Sequence, residues 1–197
     1  MINVLIFNKY TDKSIVVAES FNGWKEEGNE RYFFQNSKKF TGEYQNKYFV
    51  NGKYANGVYN GTLYKNGDIS TNAYVGEIFY GSDGKPANGW YDDGSNWYFF
   101  QNGKKHNGYG IDANGKRYFV DGKYANGIYG GKLYKDGIES KGRTYVNGIF
   151  YDENISPADG WYDDGDTWYF FKDGKKYTGK AVDGNGEMYF VKGKYAN

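Results

Sequence analysis

The chain has 197 residues and a formal net charge of +1, from 25 Lys and Arg against 24 Asp and Glu; 39% of it is hydrophobic, 21% is aromatic, and it holds 30 glycines, two prolines and no cysteine. Without cysteine there is no disulfide framework, zinc knuckle or thiol nucleophile, and the balanced, interspersed charges leave no basic field for nucleic acid. The longest aliphatic run, Val4-Leu5-Ile6-Phe7, is too short for a bilayer and lacks a basic flank or cleavage site, so neither membrane insertion nor a complete signal peptide is expected.

Residues 1–20 read as a leader, linker or partial repeat; they hold Asp12, Ser14 and Glu19, too little to build a catalytic cleft. A first module is expected over 21–86, a second over 87–157 and a partial third over 158–197. The basis is direct: residues 87–126 align without gaps on 158–197, with 26 of 40 positions identical. The first copy opens as FNGWKEEGNERYFFQNSKKFTG (21–42) and runs on, four residues shorter, into YFVNGKYANG (48–57). Further along, VYNGTLYKNG (58–67) answers IYGGKLYKDG (128–137), and YVGEIFY (74–80) answers YVNGIFY (145–151). Gly89, Gly108 and Gly127 are 19 residues apart, and Gly160 to Gly179 repeats the step. Pro86 and Pro157 each stand three residues before a Gly-Trp pair and read as one inter-module turn.

Within a unit, Trp97-Tyr98-Phe99-Phe100 is followed by Asn102-Gly103. Short aromatic runs bounded by Asn-Gly or Asp-Gly predict β-hairpins, because those dipeptides accept the positive φ angles of tight primed turns. Asn66-Gly67, Asn114-Gly115, Asp121-Gly122, Asp136-Gly137, Asp173-Gly174 and Asn185-Gly186 carry the same signal. Glycine interrupts nearly every ten-residue window, so no helical period is sustained and the fold class is all-β. A hairpin of this size buries too little surface to stand alone, which predicts a repeat solenoid of stacked short hairpins. Successive strand residues point to opposite faces, so one face of the WYFF strand is expected to pack on a neighbour, while the other closes a second layer or stays open as a platform.

The unit GWYDDGSNWYFFQNGKKHNG (89–108) resembles the cell-wall-binding repeats of Gram-positive surface proteins, among them choline-binding modules and the glucan-binding repeats of glucansucrases. GYGIDANGKRYFVDGKYANG (108–127) is closest to the glucan-binding version, and the likeness covers about residues 21–197. The resemblance implies a non-catalytic hairpin solenoid that attaches a larger secreted enzyme or surface protein to α-glucan, wall choline or another wall polymer. It also implies an extracellular or cell-wall-associated location. Gly-Trp occurs once per module rather than in every unit, which departs from the choline-binding pattern, and Arg31 stands where the later copies have Trp97 and Trp168.

A sugar ring presents an apolar C–H face and a belt of hydroxyls, so a site needs an aromatic plane beside polar groups. The candidate carbohydrate-binding residues are Trp24, Trp90, Trp97, Phe99, Gln101, Lys105, Tyr118, Trp161, Trp168, Phe170, Lys176 and Tyr189. For each single indole, packing between hairpins is the favoured role, since aromatic side chains bury the largest areas, while some member of the set is expected to face ligand; spacing alone does not separate the two. His106 aligns with Phe40 and Tyr177, so its slot calls for a planar ring and not a proton carrier. The pairs Asp92-Asp93 and Asp163-Asp164 suggest a glycosidase, but adjacent carboxylates point apart and the first copy repeats the motif as Glu26-Glu27, which favours turn formation. Asp112, Asn114, Asp183 and Asn185 add oxygens without the loop spacing of a calcium site, so no metal or cofactor is expected. The expected partner is a polysaccharide; the alternative is a structural or adhesive stalk that binds wall choline or a protein.

Overall fold

The computed structural model describes residues 19–196, so Val4–Phe7, Asp12, Ser14 and nearly all of the expected leader lie outside the described residues. The described residues form strands and turns without helix, as the glycine-punctuated sequence predicts. They make ten small antiparallel sheets, eight of three strands and two of two, over 23–39, 42–54, 57–69, 73–80, 89–105, 108–124, 127–140, 144–151, 160–176 and 179–195. By contacts the chain divides into two compact units, Met1–Ile69 and Ser70–Asn197.

The sheet at 89–105 shows how local sequence makes a unit. Gly89–Asp92 pairs with Trp97–Gln101, Trp90 facing Phe99 and Asp92 facing Trp97. The connecting turn is held by the Asp93 carboxylate, which accepts from the Ser95 hydroxyl at 2.6 Å and from the Ser95 and Asn96 amides. The Asn102-Gly103 turn, with φ of 51° and 75°, then reverses the chain into a two-residue third strand, Lys104–Lys105. Asp121-Gly122, Asp136-Gly137 and Asp173-Gly174 adopt the same paired positive φ, whereas Asn114 and Asn185 instead donate their amides to Asp112 and Asp183 in side-chain-closed turns.

The glycine of the turn into the short third strand also joins its sheet to the one before. Gly122 donates its N–H to the His106 carbonyl and accepts from the Phe99 N–H at 2.7 Å. Gly137 bridges Ala125 and Tyr118 in the same way, Gly103 bridges Ala87 and Phe79, Gly174 bridges Ala158 and Phe150, and Gly193 bridges Tyr177 and Phe170. In the first unit Gly52 bridges Phe40 and Phe33, and Gly67 bridges Ala55 and Tyr48. A Cβ on Gly122 would lie 3.0 Å from the Phe99 carbonyl oxygen, so only glycine fits this joint. Between the 127–140 and 144–151 sheets no such glycine joint occurs among the described residues, and the Asn147 amide donates to the Asn126 carbonyl instead.

The core follows from period-two alternation in adjacent aromatic pairs. Phe99 and Phe100 point to opposite faces: Phe100 stacks on Phe79 of the preceding sheet (4.8 Å, 20°), and Phe99 stacks on Phe119 of the following one (4.4 Å, 20°). Tyr118 continues the series onto Tyr134 (4.5 Å, 18°), and Phe150–Phe171 and Phe170–Phe190 repeat it. In the first unit Phe33 meets Phe49 and Tyr48 stacks on Tyr64. Both faces of the Phe-Phe pair are thus taken by neighbouring sheets, so neither remains a free platform at that point of the strand. Pro86 and Pro157 lie inside this stacking: each bridges a tyrosine, Tyr80 or Tyr151, and the alanine that follows accepts the next glycine N–H.

Candidate functional site

Strand alternation places Trp90, Trp97, Phe99, Gln101 and Asp92 on one face of the 89–105 sheet and Tyr91, Tyr98, Phe100 and Lys105 on the other. The first face meets the 108–124 sheet. Trp90 is half-buried, with Phe99, Phe119 and Tyr124 around it at 5.7, 5.9 and 5.4 Å. Its indole N–H donates to the Asp112 carboxylate at 2.9 Å. The same carboxylate accepts from the Tyr124 hydroxyl and the Asn114 amide N–H, and the Asn114 side chain donates to the Tyr124 oxygen at 2.9 Å. Burial pushes the Asp112 carboxyl up, but the hydrogen bonds from Tyr124, Trp90 and Asn114 outweigh it and hold the group below the ordinary carboxylate value.

The third repeat rebuilds this cluster. Trp161 donates to Asp183 at 3.0 Å, Tyr195 donates to Asp183 at 2.5 Å, and the Asn185 side chain donates to the Tyr195 oxygen at 2.7 Å. The Tyr195 hydrogen bond is the main reason the Asp183 carboxyl is lowered. Each indole is therefore fixed at its edge by an acid 22 residues along the chain.

Trp97 and Trp168 differ from these. They stand at the outer ends of their strands, 61% and 55% exposed, and take part in none of the ring pairs among the described residues. On the Trp97 face a cleft of 450 Å³ opens between the 89–105 and 108–124 sheets, lined by Asn88, Trp90, Phe99, Gln101, His106 and Asp112 among others, while Trp97 is not part of its wall. Gly110 forms part of its wall; a Cβ there would lie 3.0 Å from Phe119 and 3.1 Å from the His106 ring. The third repeat has Ala181 at the matching position. The cleft combines aromatic carbon with amide, carboxylate and imidazole groups, a composition that suits a hydroxylated ligand with one apolar face.

The remaining candidates fall in other places. Phe99, Phe170 and Tyr118 belong to the inter-sheet stacks, although each stays partly exposed. Gln101 is exposed on the Trp97 face, and Tyr189 is exposed on the last sheet. Lys105 and Lys176 lie on the opposite face from the exposed indoles. Lys105 sits 3.2 Å above the Tyr98 ring and 3.5 Å from Asp93; Lys176 sits 3.3 Å above Tyr169 and 2.8 Å from Asp164. Asp93 and Asp164 also accept from the hydroxyls of Tyr74 and Tyr145 in the preceding sheets. These lysines and acids thus tie one sheet to the next. Burial, then the hydrogen bond to the carboxylate, pushes both tyrosines up to about 12.

His106 packs between Phe99 and Phe119, and its Nε2 lies 3.0 Å from the Tyr109 carbonyl oxygen. Tyr177, in the matching slot, donates its hydroxyl to the Lys180 carbonyl at the same distance. The equivalent contact in both repeats accounts for the ring that the alignment requires there. Sequence reasoning singled out Asp112 and Asp183 only as oxygens for a cation and overlooked their role as indole anchors. The recurring Trp-to-Asp interval of 22 residues was the available signal.

No family model matches the chain, and no curated protein matches it. Among solved structures it is similar to an alternansucrase determined in complex with isomaltononaose, at 20% identity over 87% of this chain and 16% of that one, with a TM-score of 0.43. It is similar to CbpJ from Streptococcus pneumoniae TIGR4 at 25% identity over 90% of this chain and 66% of that one, with a TM-score of 0.37. It is also similar to choline binding protein F from Streptococcus pneumoniae at 17% identity over 85% and 83% of the two chains, with a TM-score of 0.35. The chain is similar to each of these over most of its own length. It spans 16% and 66% of the first two of these chains, so it corresponds to only part of either.

Proposed function

We propose that the chain is a non-catalytic carbohydrate-binding repeat domain that takes α-glucan or a related bacterial surface polysaccharide. The observation that carries this reading is the exposure of Trp97 and Trp168, equivalent indoles left open while the rings around them are engaged in inter-sheet packing. A rigid exposed indole offers a plane for the C–H face of a sugar, and it loses little conformational freedom on binding. Gln101, exposed on the same strand face, and the polar wall of the cleft on that face supply groups for the hydroxyls.

Such sites are shallow and individually weak. Two of them on one chain gain from avidity toward a repeating polymer, by a factor on the order of 10²–10⁴ where both engage at once. The near-neutral charge suits an uncharged glycan. On this reading the domain belongs to a larger secreted enzyme or surface protein and works outside the cell or at the wall, with the repeats of 21–86, 87–157 and 158–197 as its modules.

Affinity electrophoresis in gels containing dextran, starch or purified Gram-positive wall tests the proposal. Retardation in at least one gel is expected, weakened in W97A and in W168A and lost in the double variant. No retardation with any of the three would overturn it. Retardation by wall that free choline relieves and dextran does not would assign the sites to choline instead.

A further inference from the structure

The three Gly-Trp repeats are alike in scaffold and unlike in the surface they present. Trp24 packs against Phe33, Phe49 and Tyr54 at 5.6, 5.7 and 5.4 Å, nearly the distances that Trp90 keeps to Phe99, Phe119 and Tyr124. Two things around it are changed. The following sheet is four residues shorter in the first copy, with Tyr44-Gln45-Asn46-Lys47 where the second copy has the longer turn that holds Asp112, so the acid that anchors the other indoles is missing. In addition Arg31, at the position of Trp97 and Trp168, carries its guanidinium carbon 5.2 Å from the Trp24 ring centroid.

The pairing register explains the second contact. Arg31 faces Glu26 across the strand pair, two residues beyond the Trp24 and Phe33 pair, so its side chain lies on the Trp24 face. Guanidinium is planar, weakly hydrated and drawn to an indole face. A sugar ring approaching Trp24 has to displace it. No Arg or Lys is recorded within that range of the Trp90 or Trp161 rings among the described residues.

We propose that Arg31 takes the place of the open indole in the first repeat: lying over the Trp24 ring, it leaves that repeat without a strand-end platform for glycan and sets the number of glycan platforms on this chain at two. The proposal rests on the glycan-binding reading above and adds to it which repeats bind. Arg31 acts here as a specificity-determining residue, since its replacement by tryptophan is a gain of site. The first unit then contributes scaffold and spacing without contributing affinity.

The test starts from W97A/W168A, in which both open platforms are gone and the buried scaffold is untouched. Adding R31W to that background restores the strand-end indole in the first repeat. Recovery of retardation in the same glycan gel to about the level of a single-platform variant such as W168A is expected. Absence of any recovery, while W97A and W168A each weaken binding in the parent chain, would overturn the proposal and leave the glycan-binding reading intact. If the parent chain binds no glycan, the covering contact is decided separately by acrylamide quenching of W97A/W168A with and without R31A. Increased quenching on removing Arg31 supports the cover, and unchanged quenching overturns it.

Discussion

The indole N–H of Trp90 reaches across a junction between two sheets to the carboxylate of Asp112, at 2.9 Å, and this one bond links the packing of the repeat to the orientation of its candidate site. Asp112 is held from three directions, by indole, phenol and amide. An Asp112→Asn exchange retains the size of the side chain but offers only one carbonyl oxygen to these donors. It is expected to destabilise the chain by about 1–3 kcal/mol, the cost of leaving a part-buried donor unpaired. Urea unfolding checks the energy, and the Trp90 indole N–H resonance checks the cause, since it alone among the tryptophan signals should move strongly.

The turn glycines separate two kinds of substitution that look alike in sequence. Gly122 and Gly61 both have positive φ, at 72° and 75°, but a Cβ on Gly61 meets nothing within 4 Å, whereas on Gly122 it meets the Phe99 carbonyl at 3.0 Å. G61A carries only the left-handed backbone cost, of the order of 1–2 kcal/mol. G122A adds a backbone clash at an inter-sheet joint and is expected to cost more than twice as much, with loss of cooperative unfolding. Thermal denaturation of the two variants side by side gives the comparison.

Acid should weaken the sheet junctions that Asp164 and Asp93 brace. Burial pushes the Asp164 carboxyl up, but the Lys176 hydrogen bond, backbone N–H groups and the Tyr145 hydroxyl prevail and hold it at about 2, against 3.8 for a free aspartate. Because the folded value is the lower one, this carboxylate adds stability that is complete above the unfolded value and is lost as pH falls through the folded one. Stability should therefore hold down to about pH 4 and decline between about pH 4 and pH 2, and D164N should flatten that decline. Asp93 acts in the same direction, held down chiefly by the Ser95 hydroxyl. Denaturant midpoints measured across this range check the slope; a D164N profile as steep as the parent's would contradict it.

The cleft between the 89–105 and 108–124 sheets would be narrowed by a single methyl group on Gly110. Gly110 lacks the positive φ that would exclude alanine, yet its Cβ would meet Phe119 at 3.0 Å and the His106 ring at 3.1 Å. G110A is expected to push the His106 ring into the cleft, as the natural Ala181 stands beside the larger spacing of Tyr177 from Phe170, 6.2 Å against 5.8 Å for His106 and Phe99. Stability should fall by about 1 kcal/mol, because the half-buried His106 ring can yield while the nearer ring, Phe119, is fully buried and has to shift within the stack. Glycan retardation should fall, and G110A combined with W97A should be no weaker than W97A alone if both act on one site.

Much of the fold is legible in the order of residues. A 40-residue block that recurs with 26 positions unchanged, Asn-Gly and Asp-Gly pairs at fixed intervals and the absence of a helical period specify stacked hairpins through local rules: backbone sterics at the turns and two-residue alternation along the strands. The replacement of Trp by Arg31 is equally plain in an alignment. The roles of individual rings are not, because alternation puts Trp97 and Phe99 on the same face with the same pattern. What separates them is the reach of a neighbouring sheet, which brings Phe119 to within 4.4 Å of Phe99 and stops short of Trp97. The same holds for Asp112 and Lys105, whose partners come from sequence-distant positions: one carboxylate becomes an indole anchor, and one cation becomes a brace over Tyr98. Local chemistry along the chain therefore settles which elements form and how they repeat. The division of aromatic residues into core and open surface is a matter of distance between sheets, and it exists only once the hairpins are stacked.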